Sequence, residues 1–151
     1  GQAETVKLSE LDLADITQGW GTPQKDKSVA GSPLRVGGVD YPTGIGTHAA
    51  SSWVLPLEGR GGAFNPLVGM QEFGPANKGK GSVEFVVTGD GKELFRSGTL
   101  HSGDPAKPVK LDLGGINLLT LQATDGGDGN SADHANWIAP ELTHTGALLE
   151  K

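Results

Sequence analysis

The stretch "SVEFVVTGDGKELFRSG", residues 82–98, constrains the fold more than any other part of the chain. Val83, Phe85 and Val87 alternate with Glu84, Val86 and Thr88, the two-residue period of a strand with one buried face. "GDG" at 89–91 supplies tight-turn chemistry and "KELFRS" returns as a second strand, which predicts an antiparallel hairpin. An isolated hairpin is marginal in water, so further strands must cover its apolar face. "PLRVGGVDYPTGIGTH" predicts a second hairpin, turning at Gly37-Gly38. "SSWVLPLEG" reads as a strand whose Pro56 marks an edge or a bulge, and "GAFNPLVGM" as another. Val109, Leu111 and Leu113 share a face in "KPVKLDL". After Gly114-Gly115, Leu119, Leu121 and Ala123 do the same in "INLLTLQAT".

Glycine occurs 25 times, with no collagen-like period, between these alternations. Glycines placed in this way punctuate turns, and about eight to ten short strands at this spacing predict one all-β sandwich over residues 1–151. Helix is confined to "SELDLADI" (9–16), one or two turns with Ser9 as N-cap and Asp12 three residues on.

Charge and composition exclude several functions. The net charge is −6 and the lysines are scattered, whereas a nucleic-acid surface needs a clustered basic face. No apolar run approaches the roughly 20 residues that span a bilayer. Without cysteine there is no disulfide framework and no thiolate zinc site. Position 1 is Gly rather than Met, so excision from a longer precursor or trimming is expected. No nucleophile elbow, phosphate loop or H-E-x-x-H is present, and eighteen acidic residues do not by themselves define a hydrolytic pair. A hydrolase acting alone is the least supported of three readings, the others being a sugar-binding module and a structural spacer.

The chemistry-bearing side chains concentrate in "TDGGDGNSADHANW", residues 124–137. Asp125, Asp128 and Asp133 do not follow the alternate-residue spacing of an EF-hand loop, but a less regular calcium site also draws on Gly-rich loops for backbone oxygens. Each aspartate alone is equally a turn residue bonding nearby N–H groups. The three together point to a ligand or a metal. On strand alternation Asp133, Ala135 and Trp137 face one way and His134, Asn136 and Ile138 the other. Trp137 is expected in the core more than as a sugar platform, because the chain is short of large aromatic side chains. His134 needs partners on both ring nitrogens if it is buried. "GIGTHAAS" (44–51) brings His48 beside Thr47, with Gly44 and Gly46 permitting close backbone approach. "QGWG" sets Trp20 between glycines, suited equally to stacking on a sugar ring and to plugging an end of the sandwich.

Taken in order, "LSELDLADITQGWG", "KDKS", "GVDYPTGIGTHAAS", "LVGMQE", "GSVEFVVTGDGKELFRSG" and "LTLQATDGGDGNSADHANW" resemble the NPCBM-type carbohydrate-binding modules over residues 5–143. That resemblance implies a galactose-binding-like jelly-roll sandwich and no catalysis. It implies an accessory module on a secreted or cell-surface glycoside hydrolase or other glycan-active enzyme. Its expected ligands are galactose-type or related host glycans, and its expected cofactor is a structural calcium. The matches single out Trp20, Asp26, His48, Asp125, Asp128, Asp133, His134 and Trp137. Trp20, His48, Glu72, Asp125, His134 and Trp137 are assigned to the sugar, and Asp26, Asp128 and Asp133 to the metal. Two departures stand out. Where the family tends to read Val-Gly-Val-Asp-Asp this chain has "VGMQE", with Gln71 and Glu72 for two aspartates, and "LDL" (11–13) lacks a tryptophan usual after the aspartate. These departures favour the alternative, a structural spacer packed on a catalytic domain with a degenerate sugar site.

Overall fold

The protein is described here by a computed structural model covering residues 4–11, 13–18, 21–72, 81–125 and 134–145. Strands β1 (Glu4–Lys7), β2 (Gln24–Lys25), β3 (Leu34–Val36), β4 (Val39–Tyr41) and β5 (Gly44–His48) come first. They are followed by β6 (Ser51–Pro56), β7 (Gly61–Phe64), β8 (Leu67–Met70), β9 (Val83–Gly89) and β10 (Lys92–Leu100). The last are β11 (Lys107–Pro108), β12 (Leu111–Asp112), β13 (Leu118–Thr124), β14 (His134–Ile138) and β15 (Glu141–His144).

These fifteen described strands exceed the expected number because several runs are broken by kinks. "GAFNPLVGM" splits into β7 and β8 at Asn65-Pro66, "KPVKLDL" into β11 and β12, and the last run into β14 and β15 at Ala139-Pro140. Proline lacks the N–H that a ladder needs, and Ala139 has φ 47°. The partners survive the break: β8 lies between β11 and β14, and β7 between β12 and β15. The sheets β1-β15-β7-β12 and β11-β8-β14-β5-β2 therefore form one bent layer, facing the second layer β10-β9-β13-β6. Proline-bearing β6 is at an edge of that second layer, as its sequence predicts.

The core fills the space between the layers. Phe85, Val87, Leu119, Leu121, Trp53 and Leu55 face Ile45, Val68, Met70, Ala135 and Trp137. The Phe85 and Trp137 rings meet edge to face across the gap, centroids 5.1 Å apart. Full burial of a large apolar side chain is worth roughly 1.5–3 kcal/mol, so these alternating positions hold the layers together. The two ends of SELDLADI form only 3-10 turns, Leu8–Glu10 and Leu13–Asp15. Ser9, expected at the N-cap, lies inside the first turn, and the cap position is Lys7 without a side-chain bond.

The β3–β4 hairpin packs on the outer face of the bent layer. Leu34 and Val36 meet Ile138 there in a small second core. Gly69 makes this fit: a Cβ on it would overlap the Val36 side chain. Gly46 plays the same part under residues 27–28, where a Cβ would run into the Lys27 carbonyl and lie 2.6 Å from the Ser28 Cα.

Candidate functional site

The chain changes layer three times at one end of the sandwich, from β5 to β6 through Ala49-Ala50, from β8 to β9 and from β13 to β14. Antiparallel pairing requires the end of one strand to meet the start of the next, so His48, Ser51, Gln71, Glu72, Ser82, Asp125 and His134 gather at this rim. Hydrogen bonds tie it together. Gln71 N–H donates to the His134 carbonyl at 2.9 Å, and Ser82 Oγ–H to the Asp125 carbonyl at 3.0 Å. Thr17 and Ser52 exchange both backbone bonds, at 2.9 and 3.0 Å. Ser82 carries no sequence signal of its own, since its partner lies on another strand.

His48 and His134 form the centre of the rim. They are direct cross-strand partners on β5 and β14, with ring centroids 5.2 Å apart and planes at 61°. His48 is 5% exposed, and its Nδ1 lies 2.6 Å from the Ala49 carbonyl oxygen. A carbonyl only accepts, so that nitrogen carries a proton and donates. Burial, and then the charge His48 would add beside it, lower the His134 pKa to about 4. His134 is therefore neutral at physiological pH. A neutral imidazole has one donor and one acceptor nitrogen, which matches a hydroxyl group's own donor and acceptor.

Gln71 and Glu72, the departures from the aspartate pattern, hold the β3–β4 hairpin to this rim. Gln71 is 2% exposed. Its Oε1 accepts from Arg35 N–H at 3.1 Å and Asn136 Nδ2 at 2.8 Å, while its Nε2 donates to the Pro33 carbonyl at 2.9 Å. Arg35 N–H can only donate and Pro33 O only accept, so the amide has a single satisfactory orientation. Glu72 Oε2 accepts from Gly38 N–H at 2.9 Å and pairs with Arg35 Nε at 3.3 Å. Arg35 also pairs with Asp40 at 2.9 Å. A charged depression of about 350 Å³ lies beside them, lined by Ser32, Pro33, Arg35, Asp40, Gln71 and Glu72. Glu72, assigned to the sugar from the sequence, thus already has one carboxylate oxygen engaged by the hairpin turn.

Two further assignments are corrected by position. Trp137 is 3% exposed and lies against Phe85 in the core, so neither ring face is open to a sugar. Asp26 sits beside Gly44, at the opposite end of β5 from His48. Its Oδ1 accepts Gly44 N–H at 3.0 Å and its own N–H returns to the Gly44 carbonyl at 2.8 Å. It clamps a backbone approach rather than joining the rim. Trp20, Asp128 and Asp133 lie outside the described residues. Calcium takes six to eight oxygens, and among the described residues no three His, Asp or Glu side chains cluster around a point.

The comparisons agree with this architecture. The NPCBM/NEW2 domain profile matches residues 4–143. The chain is 36% identical over 148 residues to alpha-1,3-galactosidase B of Akkermansia muciniphila, covering 94% of this chain and 18% of that enzyme. It spans only 8% and 18% of the lengths of two curated relatives. Among solved structures, the CBM51 of Clostridium perfringens GH95 in complex with methyl-galactose superposes with TM-score 0.80 at 33% identity, covering 92% of this chain and 99% of that one. The CBM51-2 of Clostridium perfringens ZmpB, in complex with GlcNAc and joined to INT domains, gives TM-score 0.83 at 28% identity, covering 93% and 32%. By profile, identity and fold, the chain belongs to the NPCBM/NEW2 family of carbohydrate-binding modules.

Proposed function

We propose that this module holds a galactose-type or related terminal sugar at the rim, without catalysis of its own. It thereby brings a glycan-active enzyme of the same polypeptide, secreted or displayed at the cell surface, to host glycans. The observation that carries the reading is the facing pair His48 and His134, placed by strand register where three crossovers converge. The neutral His134 imidazole stands opposite His48 on rigid strand ends, with Asp125 at the end of β13 on the same rim, and polar side chains fixed on strand ends are what a preformed polar site requires. The relatives solved with methyl-galactose and with GlcNAc share the fold and support the ligand class. Trp20 is assigned within this proposal to stacking on the sugar's apolar face. A shallow site of this kind binds at roughly micromolar to millimolar Kd, and tethering to the enzyme raises the effective concentration.

Calorimetric screening of methyl galactoside, N-acetylglucosamine and fucosides tests the proposal. Saturable binding by at least one is expected. Silence at millimolar sugar from a folded protein ends it and favours a structural spacer. The spacer reading draws its support from Gln71 and Glu72, whose polar atoms are taken up by the β3–β4 hairpin. Turnover of aryl glycosides by the isolated module would contradict its non-catalytic part.

A further inference from the structure

Beside the histidine rim lies a second cleft, of about 600 Å³, between the Leu13–Asp15 turn and residues 21–23. Leu13, Ile16 and Pro23 give it an apolar wall, and Gln18 and Thr22 supply polar edges. Among the described residues none that lines it is charged, in a chain of net charge −6, whereas the depression beside the hairpin holds Arg35, Asp40 and Glu72. The cleft is fastened to the rim on both sides. Thr17 pairs with Ser52, next to Ser51 at the start of β6. Gln24 pairs with Gly46, two residues from His48, and Thr22 is two residues from Gln24 in the opposite direction along the antiparallel pair.

From this placement we infer that the cleft is a second subsite, which receives the next sugar of a glycan whose terminal residue occupies the rim. The inference rests on the rim reading of the preceding subsection. The described lining of the cleft offers no charged group to pair with an ionic occupant such as a sialic acid, a sulfated sugar or an acidic peptide. It suits a neutral pyranose, whose C–H face meets Leu13, Ile16 and Pro23 while its hydroxyls meet Gln18 and Thr22. The ligand class recognised by the module is then a neutral oligosaccharide rather than a single terminal sugar.

The test compares methyl galactoside, N-acetylglucosamine, lactose and a neutral trisaccharide ending in galactose. Each is titrated by calorimetry into the intact module and two variants. Thr22→Ala removes a hydroxyl from an exposed position, and Ala14→Arg crowds the cleft from an exposed turn. The intact module should bind the trisaccharide about tenfold tighter than methyl galactoside, the gain expected from about one additional hydrogen bond with its apolar contact. Both variants should erase that gain and leave monosaccharide affinity within about twofold, a difference well below one tenfold step. Equal affinity for both sugars in the intact module, or variants that weaken both sugars alike, would overturn the subsite while leaving the rim reading intact. Absence of binding by every sugar, monosaccharides included, would instead bring down the rim reading and this inference with it.

Discussion

The two ends of the sandwich are built from the same strands but use their polar groups differently. At the end opposite the histidines, the turns at 58–59, 90–91 and 114–115 close on one another. Leu57 and Glu58 N–H both reach the Asn117 carbonyl, Gly59 N–H reaches Ile116, and Asp90 N–H reaches Leu118. The Asp90 carboxylate accepts from Asn117 and Leu118 N–H at 2.9–3.1 Å, holding a residue at φ 50° in place. Polar atoms there are consumed by the backbone. At the rim, strands of the two layers end together and side chains from different strands meet, His48 and His134 among them. One end closes on its own backbone; the other is where the proposal places recognition.

The largest expected effect separates both ends from the core between them. Trp137→Ala should cost about 3–5 kcal/mol by leaving a cavity beside Phe85, and a thermal melt measures it. Sugar affinity of the residual folded fraction should then be unchanged, which would confirm that Trp137 is not a ligand contact. A bound calcium would add stability of its own: the resemblance predicts that excess chelator lowers Tm. Saturation to a hundredfold over Kd is worth about 2.7 kcal/mol. An unchanged melt with no metal by elemental analysis removes calcium from the account.

Asp90→Ala probes the closed end. Losing the carboxylate that serves two N–H groups should cost about 1–2 kcal/mol, read as a lower Tm, with sugar affinity unaltered. The smallest effect is the pH response of His134. Its folded pKa, about 4, lies below the ordinary 6.5. The unfolded chain therefore binds the proton first, and stability is lost as pH falls from 6.5 toward 4. The partly solvated ring limits the loss to the order of 1 kcal/mol, or about 2–4 °C in Tm. His134→Gln should flatten that slope.

Much of this contrast is legible along the chain, and some is not. The alternation at Val83, Phe85 and Val87 and at Leu119, Leu121 and Ala123 announces two central strands, and Gly37-Gly38 and Asp90-Gly91 announce the turns of the β3–β4 and β9–β10 hairpins. These are local signals, set by period and backbone freedom. The kinks that turn "GAFNPLVGM" into two strands are only half visible, since Pro66 flags a break but not that the partners continue across it. His48 and His134 are each conspicuous in sequence. That they face each other depends on β14 choosing β5 and β8 as neighbours, a decision of sheet order that no local pattern encodes. For the same reason no local pattern shows that Asp26 bonds Gly44 or that Glu72 bonds Gly38.

The most direct test of the rim is calorimetric titration of methyl galactoside into three proteins: the intact module, His134→Ala and Asp90→Ala. All are first verified as folded by circular dichroism. The account predicts equal binding by the intact module and Asp90→Ala, with affinity lowered at least about tenfold in His134→Ala, one 1.4 kcal/mol step. Undiminished binding by a folded His134→Ala would contradict it.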